Sequence, residues 1–284
     1  MSNNVLLTGA TGFIGQQILK ILTEANYTVR AVVRSLGKVK SFSVEHVEFI
    51  EVNDFFSCNN DDYLRLLKGI DIVIHCAWYV EPGKYLHSTE NLHCLQGTLK
   101  FAQCALQSKI KRFIGLGTCF EYDTDKGYLT PETPLKPCSL YAATKMSAFE
   151  CLTQLFKTSS IKFVWCRVFY LYGEAEDHRR LVPYLRSRLE IGEYAELSHG
   201  LQVRDFLDVV LAAQLIVDAS FGPYQGAINI CSGLPITVRQ LAEMIADEYG
   251  RRDLLKFGVR PENSTDPDVI IGQPFTKVKH HHSS

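Results

Sequence analysis

Tyr141 and Lys145 stand four residues apart in the segment SLYAATKMSAFE. On a helix that spacing puts both side chains on one face. A free phenol ionises near pH ~10, and a neighbouring ammonium favours the phenolate and draws that value toward neutrality. The phenol then becomes a usable general acid or base. A Y-x-x-x-K pair also arises by chance; its weight here comes from opening a helix after a fifth expected strand. That strand runs out into GLGTCFEY and presents Thr118 at its carboxyl end. Ligands of open α/β sheets bind at that end, where a hydroxyl can hydrogen-bond a reacting carbonyl or alcohol.

A second constellation lies in VLLTGATGFIG, which spaces Gly9, Gly12 and Gly15 three apart between a strand and a helix. Glycines let backbone approach a ligand closely, and the helix start offers free N–H groups and a positive dipole end to a pyrophosphate. The turn, with Thr11, Phe13 and Ile14, is therefore expected to hold a dinucleotide. An ordinary glycine-rich βα turn is the alternative, since the spacing departs from G-x-G-x-x-G. NAD sites usually place an acid about 20 residues further on, for the ribose 2′-hydroxyl. The second strand instead ends VRAVVRS, with Arg34 at that place and no Asp or Glu beside it. A guanidinium fork suits a 2′-phosphate, with Ser35 and Lys38 to assist, and the expected cofactor is NADP(H). A solvated loop arginine is the other reading. Asn53 and Asp54, after the third strand, are expected at the adenine.

The elements that must position these groups alternate. Strand-like runs at Asn4–Thr8, Thr28–Val33, Val47–Val52, Asp71–Cys76, Arg112–Leu116 and Lys162–Val168 are separated by helix-like runs at Gly12–Ala25, Thr89–Gln107 and Tyr141–Lys157. Short, near-continuous apolar strands between helices predict a parallel sheet covered on both faces. The expected fold is α/β, a Rossmann-type doubly wound parallel sheet over residues 1–170, with a smaller mixed α/β substrate lobe over 171–275 and a tail at 276–284. Within the lobe, Leu181–Ile191, Leu207–Ala219 and Val238–Tyr249 look helical.

Bulk properties narrow the function class. The chain has 284 residues, 46% of them hydrophobic, enough for a sizeable core. A net charge of −1 argues against a general nucleic-acid or membrane-surface binder. No apolar run reaches the roughly 18 residues that span a bilayer, and the amino terminus lacks a basic, cleavable leader pattern. Nine scattered cysteines, none in a C-x-x-C pair, fit reduced thiols rather than a disulfide framework or a zinc site. The expectation is a cytoplasmic protein without metal. The terminal KVKHHHSS is set aside from site reasoning.

Together these segments resemble the extended short-chain dehydrogenase/reductase family of nucleotide-sugar epimerases, dehydratases and ketoreductases. TGATGFIG matches its cofactor turn, and VIHCAW its V-x-H-x-A-A motif with Trp78 for the second alanine. ENLHCLQGTLKFAQCA is similar to its N-x-x-G-T helix, with five residues between Asn91 and Gly97. YAATK is its Y-x-x-x-K, RVFYLYGE resembles R-x-F-x-x-Y-G-P with Glu174 for proline, and GLQVRDFLDV resembles its R-D-F/Y-x-x-V segment. The resemblance implies that Thr118, Tyr141 and Lys145 are catalytic, that Lys145 also holds the nicotinamide ribose, and that Ala77 and Trp78 border the cofactor. It implies that Arg204 contacts a substrate diphosphate, with Arg260 a looser second match. Tyr170 replaces a common asparagine and reshapes the hexose site. Trp78, Tyr79, Glu81 and Lys84 are candidate sugar contacts or core. Relatives often pair two helices across a homodimer, which makes Ala142, Met146, Phe149 and Thr153 candidate partner contacts.

Departures select a reaction within that family. The 4,6-dehydratases carry Thr-Asp-Glu, whereas Thr118 is followed by Cys119 and Phe120, which cannot supply the extra acid and base. The 3,5-epimerase/reductases add a cysteine and a histidine; those places are Phe120 and Ala175, with Cys119 and His178 displaced. Single hydride transfer remains. The expected activity is NADPH-dependent reduction of a nucleotide-linked 4-keto-6-deoxyhexose, with a nucleotide sugar as the small-molecule partner. A related epimerase or a non-catalytic NADP-binding redox sensor is the competing reading.

Overall fold

The computed structural model describes residues 4–39, 45–262 and 266–276. The tail set aside above and the side chain of Lys38 lie outside the described part. The first half alternates as expected: β1 (Asn4–Thr8), α1 (Phe13–Glu24), β2 (Thr28–Val33), β3 (Val47–Glu51), α2 (Asn60–Leu67), β4 (Ile72–His75), α3 (Glu90–Leu106) and β5 (Arg112–Thr118). A short β6 (Tyr128–Leu129) precedes α4 (Leu140–Lys157) and β7 (Lys162–Val168). Then come β8 (Tyr170–Tyr172), α5 (Leu181–Glu190), β9 (Ala195–Glu196), β10 (Val203–Asp208), α6 (Val209–Phe221) and β11 (Gly226–Ile230). The chain closes with β12 (Pro235–Thr237), α7 (Val238–Glu248), β13 (Leu255–Lys256) and β14 (Val269–Gly272).

Seven parallel strands form the main sheet, in the order β11-β7-β5-β4-β1-β2-β3. Alternate strand residues serve opposite faces. Val5, Leu7, Ile74, Ile114 and Cys166 join a core under α1 and α6, while Leu6, Val73, Phe113, Phe163 and Trp165 join another under α2, α3 and α4. This two-sided burial makes the strands read as unbroken apolar runs, the mark of a Rossmann-type doubly wound sheet. Strand order reverses between β1 and β4, where such sheets open their ligand crevice.

The division expected at residue 170 does not follow the chain's path. After β8 and β10, helix α6 returns to pack against α1, and β11 becomes the edge strand beside β7. The apolar run of α6 is buried against the main sheet, so its composition belongs to the large domain's core. The rest forms a mixed sheet in which β10 pairs β12, β14 and β8, with β6 beside β14, and a small β9–β13 pair. Asp205 ties the two parts together. Its carboxylate accepts from Ser232 N at 2.7 Å, Ser232 Oγ at 2.6 Å, Gly233 N at 2.8 Å and Gly272 N at 3.1 Å. The run Leu207–Ala219, expected to be wholly helical, begins as the end of β10, and Asp208 caps α6 by accepting from Val210 N at 2.8 Å.

All nine cysteines are free. Among the described residues no helix is long and apolar enough to cross a membrane, and no cluster of three His, Cys, Asp or Glu side chains stands ready for a metal.

Candidate active site

At the carboxyl edge of the main sheet, the glycine turn sits against the end of β4. Gly9 has φ +70°, and a Cβ there would stand 2.8 Å from Ala77 N. A Cβ on Gly15 would meet Gly9 O at 2.1 Å, so the turn and the start of α1 close on each other through bare backbone. Gly12, the exposed N-cap of α1, offers no side chain to the helix's first N–H groups, and the first turn carries no acid. Thr11, Phe13 and Ile14 are half-buried around it. An uncapped helix start with a positive dipole end fits a pyrophosphate. The crevice is braced from below. Thr8 Oγ1 accepts from Ala77 N at 3.2 Å and lies 2.8 Å from His75 Nδ1, while His75 Nε2 lies 3.0 Å from Thr98 Oγ1. Burial pushes His75 down to about 3, so a neutral ring links β1, β4 and α3.

The residues expected around the adenosine end differ in their ties. Arg34 is exposed at the end of β2, with no hydrogen bond or ion pair among the described residues. A carboxylate the sequence order did not bring near stands beside it: Glu51 ends the neighbouring β3, in register with Val33, and accepts from Leu36 N at 3.1 Å. Asn53 is exposed. Asp54 is already engaged, accepting from Phe56 N at 3.0 Å and Ser57 Oγ at 2.5 Å and pairing with His93 Nε2 at 2.9 Å.

Thr118, Tyr141 and Lys145 converge. Thr118 ends β5. Ser139 caps α4 by accepting from Ala142 N at 3.2 Å, which sets Tyr141 in the first helical turn and Lys145 one turn on, both buried. The Thr118 side chain is near enough to the Tyr141 phenol to oppose, weakly, the rise that burial gives it. Tyr85, which the sequence reading passed over, meets the Tyr141 ring edge-on, with centroids 4.8 Å apart. Lys145 Nζ donates to Leu116 O at 2.6 Å and lies 3.8 Å from the centroid of Trp78. Trp78 is itself held by Asn91, whose Oδ1 accepts from Trp78 Nε1 at 2.9 Å and whose Nδ2 donates to Tyr85 O at 2.6 Å.

One expectation fails here. Lys145 was to lower the Tyr141 pKa, yet burial pushes the phenol well above its ordinary value, with Tyr85 and Glu121 adding to the rise. The ammonium is 5.9 Å from the ring centroid and spends a proton on Leu116 O. Burial in turn brings Lys145 down to about 8. Desolvation therefore outweighs the pairwise attraction for both groups.

Tyr170 and Arg204 lie in the same neighbourhood, since Cys119 and Tyr85 act on both Tyr141 and Tyr170. Tyr170 Oη is buried without a hydrogen-bond partner, and the Arg204 guanidinium stands 5.3 Å from its ring centroid. Arg204 is 2% exposed; its Nη2 pairs with Asp266 at 2.7 Å without making a hydrogen bond, and its Nη1 donates to Val203 O at 2.8 Å. Arg260 is exposed and stacks on Tyr184, 4.6 Å from its centroid; no contact among the described residues joins it to Arg204. Glu81 and Arg179 clasp the loop after β4 to the segment before α5 at 2.8 Å. Tyr79 is half-buried and Lys84 exposed in that loop, Cys119 is core, and His178 is exposed. Of the candidate partner contacts, Ala142 is fully buried within the chain; Phe149, which packs toward Phe163 and Trp165, is half-buried, as are Met146 and Thr153.

Comparison with known proteins adds a frame. A family model described as NAD dependent epimerase/dehydratase matches residues 5–231. The dTDP-6-deoxy-L-talose 4-dehydrogenase (NAD(+)) of Aggregatibacter actinomycetemcomitans is 24% identical, over 95% of this chain and 99% of that protein. CDP-abequose synthase of Salmonella muenchen is 22% identical, over 91% of this chain and 85% of that protein. Among solved structures, UDP-N-acetylglucosamine 4-epimerase from Methanobrevibacter ruminantium M1, in complex with UDP-N-acetylmuramic acid, superposes with TM-score 0.82 at 24% identity, covering 97% of this chain and 91% of that one.

Proposed function

The chain belongs to the NAD dependent epimerase/dehydratase family, and on that premise we propose that it is an NADPH-dependent 4-ketoreductase of a nucleotide-linked 4-keto-6-deoxyhexose. The observation that carries the reading is the buried convergence of Thr118, Tyr141 and Lys145 at the carboxyl end of β5, on the same sheet edge as the glycine turn. A phenol whose pKa is raised by burial stays protonated at neutral pH, which is the starting state a ketone reduction needs. The names of two relatives, a 4-dehydrogenase of a dTDP-6-deoxyhexose and a synthase of a CDP-linked sugar, fit the same substrate class.

In this reading a reduced nicotinamide held at this crevice would supply hydride for the C4 carbonyl carbon. Thr118 orients the carbonyl oxygen. Tyr141 gives that oxygen its phenolic proton, and Lys145 as an ammonium stabilises the phenolate left behind. Lys145 also holds the nicotinamide ribose, and Trp78, with Lys145 on its face, borders that ring. Gly9, Gly12 and the start of α1 hold the pyrophosphate, and Asn53 and Asp54 flank the adenine. On the substrate side, Tyr170 and Arg204 retain buried polar atoms without hydrogen-bond partners. Such atoms fit a diphosphate or sugar hydroxyl; a diphosphate at Arg204 would replace Asp266. Arg260 is a second, more distant anchor in this reading. The protein acts as a cytoplasmic homodimer.

The cofactor assignment rests on Arg34, whose exposed guanidinium has no partner among the described residues. A second reading, NAD(H), is favoured by Glu51 at the end of the neighbouring strand and by the NAD(+) in one relative's name. Thermal-shift titration with NADPH and NADH separates the two, followed by turnover of a dTDP- or CDP-linked 4-keto-6-deoxyhexose. Preference for NADPH, reduced about tenfold or more in Arg34→Ala, is the expected result. Equal binding in wild type and variant removes the Arg34 argument, and no turnover with either cofactor removes the reductase.

A further inference from the structure

Strand β5 is built around one buried carboxylate. A Cβ on Gly115 would stand 2.4 Å from the Trp165 ring, and a Cβ on Gly117 would stand 2.2 Å from Trp165 Nε1 and 2.4 Å from Glu121 Oε1. Both glycines leave a slot that Trp165 and Glu121 fill. Glu121 is 0% exposed. Its Oε1 accepts from Thr118 N at 2.8 Å and Trp165 Nε1 at 3.0 Å, and its Oε2 accepts from Arg167 Nε at 2.8 Å. Every one of these contacts is an N–H donor. Burial raises the Glu121 carboxyl above the usual carboxylate range, opposed by Arg167, Thr118 N and Trp165 Nε1; a protonated carboxyl would need an acceptor for its own hydrogen, which none of these partners offers, so the arrangement fits the ionised form. Arg167, the counter-ion, lies 4.5 Å from the Tyr122 ring centroid and 4.6 Å from that of Phe149.

We propose that Glu121 is a positioning residue of the reaction: its carboxylate fixes the backbone of Thr118 and sets a buried negative charge behind the Tyr141 and Lys145 pair. This rests on the ketoreductase reading above. The electrostatic half starts from proximity: Lys145 Nζ lies 5.9 Å from the Trp165 ring centroid, and the Nε1 of that indole donates to Glu121 Oε1 at 3.0 Å. A buried negative charge favours the protonated ammonium and disfavours the phenolate. It raises Lys145 against the burial that lowers it, and raises Tyr141 together with burial. The groups around this centre are Arg167 from β7, Lys145 and Tyr141 from α4, Cys119 and Tyr122 from its own turn, Cys76 after β4 and Cys94 from α3. The charges acting on Lys145 are those of Cys94, Glu121 and Cys76, and both cysteine thiols are pushed up by burial, Cys94 to about 11 and Cys76 to about 12. Glu121 is therefore the carboxylate that holds the Lys145 proton near neutral pH.

The test reads Lys145 directly. In full-length protein with 15N-labelled lysine side chains, the Nζ signal absent from Lys145→Met is assigned to Lys145 and titrated without substrate. The expected midpoint is about 8 in wild type and about one pH unit lower in Glu121→Gln. The alkaline limb of kcat/KM for ketone reduction should move the same way. If Glu121→Gln does not fold because Arg167 is left unpaired, the double variant Glu121→Gln/Arg167→Met removes both buried charges and should still lower the midpoint. A uniform loss of activity with an unmoved Lys145 midpoint would reduce Glu121 to packing and overturn the proposal. Absence of wild-type turnover overturns the ketoreductase reading instead, whatever the titration shows.

Discussion

The two ends of the main sheet carry opposite chemistry. At the carboxyl end α1 arrives uncapped over bare glycine backbone, and Thr118, Tyr141 and Lys145 are buried within reach of one crevice. At the amino end, α3, α4 and α6 present their carboxyl termini, and a cavity of about 540 Å³ is lined by Lys109, Lys111, Arg112 and Lys162. There most polar groups answer one another, Arg112 Nε being a buried exception. Ser108, Ser159 and Ser220 donate to the carbonyls of Ala105, Phe156 and Ile216, Lys111 pairs with Asp71 at 2.7 Å, and Arg112 donates to Tyr224 O. Cations at helix carboxyl ends offset the dipole. The cavity at the amino end is thus ringed by cations that the fold largely balances, while the carboxyl end holds the larger set of groups whose protonation burial has displaced. A cavity alone is a poorer guide to a site than displaced protonation and uncapped backbone together.

The strongest way to break this comparison is Tyr141→Phe. It removes the one proton donor assigned to the reacting oxygen and keeps the ring against Tyr85. Turnover should fall about 10²–10⁴-fold while the cofactor still raises the melting temperature. Activity within a few-fold of wild type would mean that the proton comes from elsewhere.

Lys145 sharpens the comparison through pH. Its pKa is near 8 in the folded chain against 10.5 ordinarily, so between those values the unfolded chain binds more protons and stability rises with pH. Below pH 8 the folded protein carries the whole cost of the buried charge. The stability of wild type minus that of Lys145→Met, from denaturant unfolding, should climb by on the order of 3 kcal/mol from pH 8 to 10.5. A flat difference would mean that Lys145 titrates normally and that burial has not displaced it.

Gly15→Ala probes the bare backbone. Its Cβ would sit 2.1 Å from Gly9 O and 2.8 Å from Gly9 C, main-chain atoms that cannot swing away. The turn must shift, at about 1–3 kcal/mol. The variant should fold with normal circular dichroism yet lose most of the cofactor-induced thermal shift. An unchanged shift would place the pyrophosphate away from this turn.

What could be read from sequence divides along a physical line. The parallel sheet, the glycine turn and the Thr118, Tyr141, Lys145 set are written in short-range spacing, and all three stand together in the fold. Two-sided burial also showed in the unbroken strands. The return of α6 and β11 to the main sheet did not, because an apolar helix carries no mark of which domain covers it. Glu51, Glu121 and Asp205 were missed, and Asn91 was read only as a motif position, for a related reason: each acts on elements its own spacing does not announce, as Glu121 does on Trp165 and Arg167. Gly115 and Gly117, two bare positions inside one strand, were the available sign that a large side chain packs there. The displaced direction of Tyr141 was beyond spacing altogether, since it depends on how deeply the phenol is buried.

The smallest effect is expected at the amino end, and it tests the contrast most directly. Lys162 opens β7 and lines the cavity, with no partner for its ammonium among the described residues. If that end serves only to balance helix carboxyl termini, Lys162→Ala removes one of several cations from a solvated rim. Stability should then change by less than about 0.5 kcal/mol, with kcat/KM and the thermal shift from nucleoside diphosphates unaltered. Lys109 and Arg112 remain to face the dipoles, and the reacting groups sit a full strand length away across the seven-residue β5. A variant that lost nucleotide-induced stabilisation while keeping turnover would show that the amino end binds a ligand of its own. The opposition between a reactive edge and a merely balanced one would then no longer hold.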